Sequence, residues 1–374
     1  MFEQYRERIA KPFFDKEPPK TRVAVAMSGG VDSSAVAALL HQQGYDVIGL
    51  TMQLYDPGLD LAKKGACCAG QDIYDAKQVA DRMGFPHYVL DYESVFKASV
   101  IDDFAESYVR GETPIPCIRC NQRVKFRDLM RMARELGADC LATGHYVQRK
   151  ETEHGAEMHR AIDPRKDQSY FLFTTTKEQL EYLCFPLGGL RKEETRSLAR
   201  ELGLNVAEKA DSQDICFVPN GNYREVVKNL RPEAVLPGEI LHVNGEKLGE
   251  HSGILNFTLG QRKGLGISWP TPLYVVRIEP ENRAVYVGEE SDLFSQEVRI
   301  SELNWLGDKI SEEGLHCQVK LRYAQEPVPA TIFPLSDNKA RVLLHQPERA
   351  ITPGQACVAY DGEKLLGGGW IVRV

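Results

Sequence analysis

Residues 26–34 read Ala26-Met27-Ser28-Gly29-Gly30-Val31-Asp32-Ser33-Ser34, set between an apolar run at 23–27 and a helical pattern reaching Gln43. No other segment narrows the choice of fold as far. Two adjacent glycines let the backbone turn tightly and approach an anion, and a helix starting there offers its first N–H groups and positive dipole end. Three serine hydroxyls add donors, and Asp32 can hold Mg²⁺ beside the phosphates. A plain strand-to-helix turn capped by Ser or Asp also accounts for two glycines. It does not account for the whole string, in which strand, glycines and helix start agree on phosphate. The Walker spacing of Gly, four residues and Gly-Lys-Ser/Thr is missing, which disfavours ordinary γ-phosphoryl transfer.

The rest of the first half repeats this alternation. Apolar runs at 47–54, 87–91 and 140–143 are separated by helical patterns, as expected of an α/β domain with a parallel sheet. Helical periodicity persists through 190–202 and fades near Asn222. From Pro237 the pattern changes to short strands and turns, such as Leu241-His242-Val243-Asn244-Gly245 and Tyr274-Val275-Val276-Arg277. Residues 318–323, 340–344 and 356–360 read as strands of a small barrel that closes near Trp370. Three domains are expected, over 1–222, 223–291 and 292–374, a division that suits a chain of 374 residues.

The opening twenty residues mix Glu3, Arg6, Arg8, Asp15 and Glu17 with Phe13 and Phe14 and lack a signal peptide's apolar stretch. No segment approaches the roughly 20 apolar residues that span a bilayer. A cytoplasmic protein with no membrane partner is expected. A net charge of −7 excludes a uniformly basic nucleic-acid binder but leaves room for a local basic patch.

Nine cysteines in such a chain read as reduced thiols, so those that matter are nucleophiles or ligands. Cys117-Ile118-Arg119-Cys120 follows the proline-rich Gly111-Glu112-Thr113-Pro114-Ile115-Pro116 and precedes a helix expected to start near Asn121. The helix dipole, with Arg119 and Arg123, should lower a thiol pKa there. Cys216 lies in Asp211-Ser212-Gln213-Asp214-Ile215-Cys216-Phe217, whereas Cys140 and Cys184 sit in apolar contexts and read as buried. Cys67-Cys68 with Cys117 and Cys120 makes a four-thiolate zinc site conceivable, and Cys117, Cys120 and Cys216 an iron–sulfur cluster. Adjacent cysteines are poor tetrahedral ligands, and no metal centre is expected.

Arg123, Arg127, Arg131 and Arg134, spaced four, four and three, share one helix face, either solvated or aimed at phosphates. His145, in Gly144-His145-Tyr146 after an apolar strand, either satisfies a core hydrogen bond or sits where open parallel sheets hold ligands.

Ser-Gly-Gly-x-Asp-Ser resembles the pyrophosphate loop of the ATP pyrophosphatases. The chain as a whole resembles the tRNA-specific 2-thiouridylases, from Val23 nearly to its end. The likeness rests on that loop together with Pro114-x-Pro116-x-x-x-Cys120-Asn121, Thr143-Gly144-His145-Tyr146, Lys166-Asp167-Gln168-Ser169-Tyr170-Phe171 and Asp211-Ser212-x-x-Ile215-Cys216-Phe217. It extends to Phe257-Thr258-Leu259-Gly260-Gln261-Arg262-Lys263-Gly264-Leu265-Gly266 and Pro353-Gly354-Gln355-Ala356.

The resemblance implies an adenine-nucleotide-hydrolase-like catalytic domain, a small, mostly β adaptor and a C-terminal tRNA-contacting barrel. It places ATP, with Mg²⁺, along Ala26, Met27, Ser28, Gly29, Gly30, Val31, Asp32 and Ser33, its adenine end near Met52 and Gly144. It places the target uridine at Ile115, Pro116 and Cys117, and further tRNA contacts at His145, Lys166, Asp167, Gln168, Arg322, Tyr323 and Gln355. The implied reaction activates the uridine C2 oxygen by adenylation. A persulfide on Cys216, loaded by a sulfur-donor protein, then transfers its terminal sulfur while Cys120 attacks C2 or the persulfide. A Cys120–Cys216 disulfide results. The wobble-uridine tRNAs for Lys, Glu and Gln are the implied substrates, and a monomer the expected state. Some family members carry Asp where this chain has Cys117, so the acid–base role of that carboxylate is open here, and the first twenty residues fall outside the likeness.

Two other readings compete. One is an amide-forming ATP pyrophosphatase, which needs no paired cysteines. The other is a non-catalytic tRNA binder that uses ATP to regulate shape, against which the complete phosphate loop argues.

Overall fold

The computed structural model describes residues 8–9, 16–55, 68–211, 214–218 and 221–373. Most of the opening twenty residues, together with Cys67, Ser212 and Gln213, therefore lie outside the described residues. The chain divides into two compact units, one of residues 1–99, 117–219 and 363–365, the other of 100–116, 220–362 and 366–374.

The first unit is built on five parallel strands in the order β3-β2-β1-β4-β7: β1 (Arg22–Ala26), β2 (Asp46–Gln53), β3 (His87–Asp91), β4 (Cys140–Thr143) and β7 (Leu183–Cys184). Val23, Ala24 and Val25 are fully buried, which is why this central strand is a run of small apolar residues rather than an alternation. The chain leaves β1 towards β2 on one side and returns to β4 on the other. The order therefore reverses at β1 and β4, and the crevice beyond their C-terminal ends is where open sheets of this kind take ligands. Helix α1 (Val31–Gln42) leaves that crevice almost entirely buried, its Ala35, Ala37 and Ala38 allowing close packing beside fully buried Leu39 and Leu40. Helix α2 is Cys68–Met83. The periodicity-based expectations for 87–91 and 140–143 match strands residue for residue, and the helix expected over 190–202 is Lys192–Glu201. The antiparallel hairpin β5 (Val147–Thr152) and β6 (Gly155–Arg160) was not anticipated.

The second unit has two β-layers with separate cores. Strands β8 (Gly238–His242), β9 (Lys247–His251), β10 (Tyr274–Glu279) and β11 (Ala284–Gly288) form a sheet in the order β10-β11-β8-β9 around Val275, Val285 and Val287. Strands β12 (Phe294–Trp305), β13 (Leu315–Lys320), β14 (Val328–Leu335), β15 (Lys339–Arg349), β16 (Ala356–Asp361) and β17 (Lys364–Val372) follow the order β12-β15-β14-β13-β16-β17. Pairing of β12 with β17 closes them into a six-stranded barrel, which removes exposed edges. Its core includes Val319, Val342 and Ala330, and Trp370 is buried near the closure, as expected.

Candidate active site

The phosphate loop occupies the turn between β1 and α1. Gly29 takes φ +70°, and a Cβ there would lie 2.1 Å from the Asp72 carbonyl oxygen, so only glycine fits. Gly30 is the N-cap of α1 and no side chain caps the helix, which leaves the first-turn N–H groups to an incoming acceptor. Ser28 N–H donates to Ser33 Oγ (3.0 Å), and the two hydroxyls lie 3.2 Å apart. Gly144, just past β4, packs against the start of α1, where a Cβ would be 2.8 Å from Ser33 N. The two loops at the sheet's reversal thus touch through backbone. Met27 is buried, its carbonyl accepting from Thr51 Oγ1 (2.8 Å), and Met52 ends the neighbouring strand half-buried. An uncapped helix start with two glycines and paired hydroxyls fits a nucleotide phosphate.

Three lysines surround this loop. Lys192 Nζ, 7% exposed, donates to both Asp32 oxygens (2.8 and 2.7 Å) and lies 2.9 Å from Asp211. Lys166 Nζ and Arg196 reach Asp211 at 2.7 and 2.8 Å. Burial alone would raise the Asp211 carboxyl, but hydrogen bonds from Lys166 and Lys192 outweigh it and bring it to about 2. Lys209 Nζ donates to the Gly29 carbonyl (3.0 Å), Asp72 (2.7 Å) and Asp75 (2.5 Å). Tyr146 OH donates to Asp32 (2.8 Å). Asp32 is therefore neutralised by an ammonium, and a divalent cation on it must compete with Lys192. Sequence reading missed Lys192 and Lys209, because they lie in distant segments that only folding brings to the loop.

The cysteine helix starts earlier than expected. Pro116 opens it at a position that suits proline, and the turn Pro116–Cys120 runs directly into a π-helical stretch, Asn121–Leu129, then Met130–Glu135. Cys117 is exposed and Cys120 buried; Ile115 is half-buried and Pro116 buried. Cys216 sits exposed in a turn anchored by buried Phe217, whose ring meets Phe96 edge-on at 5.7 Å. Cys117, Cys120 and Cys216 belong to the same compact unit, and Cys216 lies within electrostatic range of the other two thiols.

The expected lowering of a thiol pKa is overturned. Desolvation raises Cys117 and Cys120 and pushes Cys216 up to about 12. The cation that opposes this at all three is Lys125, not Arg119 or Arg123. The arginine face is engaged locally: Arg123 donates to Ser99 O, Arg127 to Asp128, and Arg131 and Arg134 pair with Glu135 and Glu178. Among the described residues no group of three or more His, Cys, Asp or Glu side chains is gathered for a metal; Cys67 lies outside them.

His145 shares a 2.9 Å hydrogen bond with Thr143 Oγ1, and desolvation, helped by Lys125, lowers its pKa to about 3, so the ring is neutral. Asp167 is buried and accepts from Ala161 N, Ser169 N and Ser169 Oγ, which gives its carboxylate an internal role. Gln168 accepts from Tyr146 N (2.9 Å). In the second unit Arg322 is exposed and donates to Arg349 O (2.6 Å), Tyr323 is 38% exposed, and Gln355 donates to Thr113 O (2.7 Å). No helix among the described residues is long and apolar enough to cross a membrane.

Comparison with known proteins matches residues 21–220 to a tRNA methyl transferase HUP domain, 224–289 to its PRC-barrel domain and 295–371 to an aminomethyltransferase beta-barrel domain. The tRNA-specific 2-thiouridylase MnmA of Rickettsia felis is 62% identical over 355 residues, covering 95% of this chain and 97% of that protein. Its namesake in Rickettsia canadensis is 61% identical, covering 94% and 96%. Among solved structures, the NMN synthetase of Francisella tularensis gives a TM-score of 0.33 at 17% identity, over 57% of this chain and 78% of that one, too distant to support any inference. Near-complete coverage at such identity settles kinship: the chain belongs to the tRNA-specific 2-thiouridylase family.

Proposed function

We propose that this protein replaces the C2 oxygen of a tRNA wobble uridine with sulfur, at the expense of ATP. Membership of the family makes the chain a tRNA sulfurtransferase. The observation that supports the finer reading is that Cys117, Cys120 and Cys216 lie in one unit with the phosphate loop, the first two within electrostatic range of the third.

Bound ATP, with Mg²⁺, supplies an electrophilic α-phosphorus, so that the uridine oxygen becomes part of a leaving AMP and pyrophosphate is released. The chain's own groups do the rest. The first turn of α1 and the Ser28 and Ser33 hydroxyls hold phosphate oxygens, and Lys192 and Lys209 balance their charge. A persulfide on Cys216 attacks C2 through its terminal sulfur, and the C2–O bond breaks as AMP leaves. Cys120 then attacks the Cys216 sulfur: the S–S bond to the transferred atom breaks, its electron pair stays with the sulfur on C2, and a Cys120–Cys216 disulfide forms. Two external thiols, or one dithiol, supply the two electrons and two protons that reduce this disulfide, and are themselves oxidised to a disulfide. Attack of Cys120 on C2 itself is the alternative order. Lys125 lies where it stabilises whichever sulfur carries charge. Cys117 occupies the position of a carboxylate in some relatives; its side chain reaches solvent, yet the protein atoms crowded around the thiol raise its pKa, so it stays protonated and can donate but not accept a proton.

The test is mass spectrometry of nucleosides from unmodified tRNA incubated with the protein, ATP, Mg²⁺ and a persulfide source. ATP-dependent 2-thiouridine is expected, lost in Cys120→Ser and Cys216→Ser. Activity surviving both substitutions would sink the persulfide mechanism, and pyrophosphate release without thiouridine would sink the sulfur assignment.

A further inference from the structure

The segment Gly260-Gln261-Arg262-Lys263-Gly264-Leu265-Gly266 takes no part in the chemistry above. It is a largely exposed loop of the second unit between β9 and β10, anchored near its end by buried Leu265. Arg262 and Lys263 stand exposed side by side, and among the described residues neither side chain has an ion pair or hydrogen bond. Other cations of the same sheet are engaged: Lys247 with Glu239 and Glu250, and Arg277 with Glu279 while stacked over Tyr286. In a chain of net charge −7, two adjacent unpaired cations on one loop mark a place for an external anion.

The surroundings define which anion. Gly266 takes φ +70°, and nothing would lie within 4 Å of a Cβ there, so the bare backbone is open to close approach. The loop divides two open cavities of about 450 and 400 Å³. Arg224 and Lys263 border the first, whereas Arg262 borders the second beside Trp269, itself stacked on His242. Cations spread along a ridge match the repeated charges of a polynucleotide backbone better than a single small anion. The loop is also continuous with the exposed Arg322: a Cβ at Gly260 would lie 3.1 Å from Ala350 Cβ, and the neighbouring Arg349 carbonyl accepts from Arg322.

We infer that the loop 260–266 is an RNA-phosphate contact, which extends the tRNA surface from Arg322 across the central β-domain through Arg262 and Lys263. This rests on the reading of the chain as a tRNA sulfurtransferase. The contact positions the RNA and carries no base specificity.

The experiment measures binding of an unmodified tRNA transcript to the full-length protein by fluorescence anisotropy between 50 and 200 mM KCl. The doubly substituted Arg262→Gln/Lys263→Gln protein should bind roughly tenfold more weakly near 150 mM salt, and its log K against log salt slope should shrink by about 1 to 2. The charge-conserving Arg262→Lys/Lys263→Arg protein should keep the wild-type slope. An unchanged affinity and slope, in a variant with unaltered melting temperature, overturns the inference; so does weakened binding with the slope intact, which would betray a change of fold. A wild-type protein that makes no 2-thiouridine in the nucleoside assay fails at the underlying reading, whereas one that makes it while the variant binds normally fails only here.

Discussion

Lys125 is the cation whose charge reaches Cys117, Cys120, Cys216 and His145, and it shows how a residue's role depends on the turn that carries it. Closeness in sequence points to Arg119 and Arg123 as the partners of the cysteines. Lys125 stands within the π-helical stretch Asn121–Leu129, and it is the cation that opposes desolvation of the thiols. The type of the thiol site was legible in the Cys-x-x-Cys and Ile-Cys-Phe motifs, but its electrostatics were not, because desolvation is a property of packing. With Cys216 near 12, the thiolate fraction at pH 8 is only ~10⁻⁴. Alkylation of Cys216 by iodoacetamide, followed by peptide mass spectrometry, should therefore climb about tenfold per pH unit from pH 7 to 10 without a plateau. Lys125→Met should slow it further at every pH. A plateau near pH 8 would show a thiol activated as the bare sequence suggests. Lys192 supplies the second prediction at this scale. Its nearly buried ammonium serves Asp32 and Asp211 together; in Lys192→Met, Asp211 keeps Lys166 and Arg196, but Asp32 loses the ammonium from which both its oxygens accept. A loss of about 3 kcal/mol in urea unfolding is expected, and a loss below 1 would mean that solvent already screens the pair. The Asp211 share follows a definite sign. Its folded pKa is depressed, so the stabilisation is present above the ordinary value of 3.8 and disappears as pH falls towards 2.

The elements that build the crevice proposed to hold the nucleotide are the most legible part of the chain, for a physical reason. Strands β1 and β4 are buried on both faces, so they must be unbroken apolar runs, and their ends are marked by residues that cannot be apolar. The hairpin of β5 and β6 escaped notice because Gln148, Arg149, Lys150 and Glu151 give it no apolar alternation, although Arg149 is buried and donates to the Leu180 carbonyl. The early start of the cysteine helix is hidden for a different reason: in the sequence Pro116 belongs to the proline-rich segment before the cysteines, yet a proline whose missing N–H is not needed opens a helix well. The touching of the two crevice loops through Gly144 yields a prediction about elements. Gly144→Ala would place a methyl carbon 2.8 Å from the Ser33 nitrogen, and since the obstacle is backbone, α1 or the β4 loop must shift. The ATP concentration for half-maximal pyrophosphate release should rise at least tenfold, because a displaced first turn no longer aims its N–H groups at phosphate. Circular dichroism should change little. Unaltered ATP dependence would remove Gly144 from the nucleotide site.

At the scale of the whole molecule, the chain carries net charge −7 and yet must hold a polyanion. A negative body repels RNA at long range, so binding has to come from local clusters of uncommitted cations, and many cations among the described residues are committed. Arg8, Arg22, Arg110, Arg165 and Arg200 each pair with a carboxylate, and Lys166 and Lys192 are tied to Asp211 and Asp32. That pairing is invisible in a composition, which shows only totals. Binding through few phosphate contacts against a repulsive background predicts two different salt responses from one protein. The tRNA dissociation constant should rise roughly a hundredfold between 50 and 200 mM KCl, as expected when about four phosphates are neutralised. The melting temperature should move little, because the buried Lys192–Asp32 and Lys192–Asp211 pairs are shielded from bulk ions. Anisotropy titrations and thermal melts over the same salt series decide the matter. If tRNA affinity were flat across that range, recognition would rest on base stacking and hydrogen bonds within enclosed pockets, and the exposed cations of the second unit, Arg322 included, would have no part in holding the RNA.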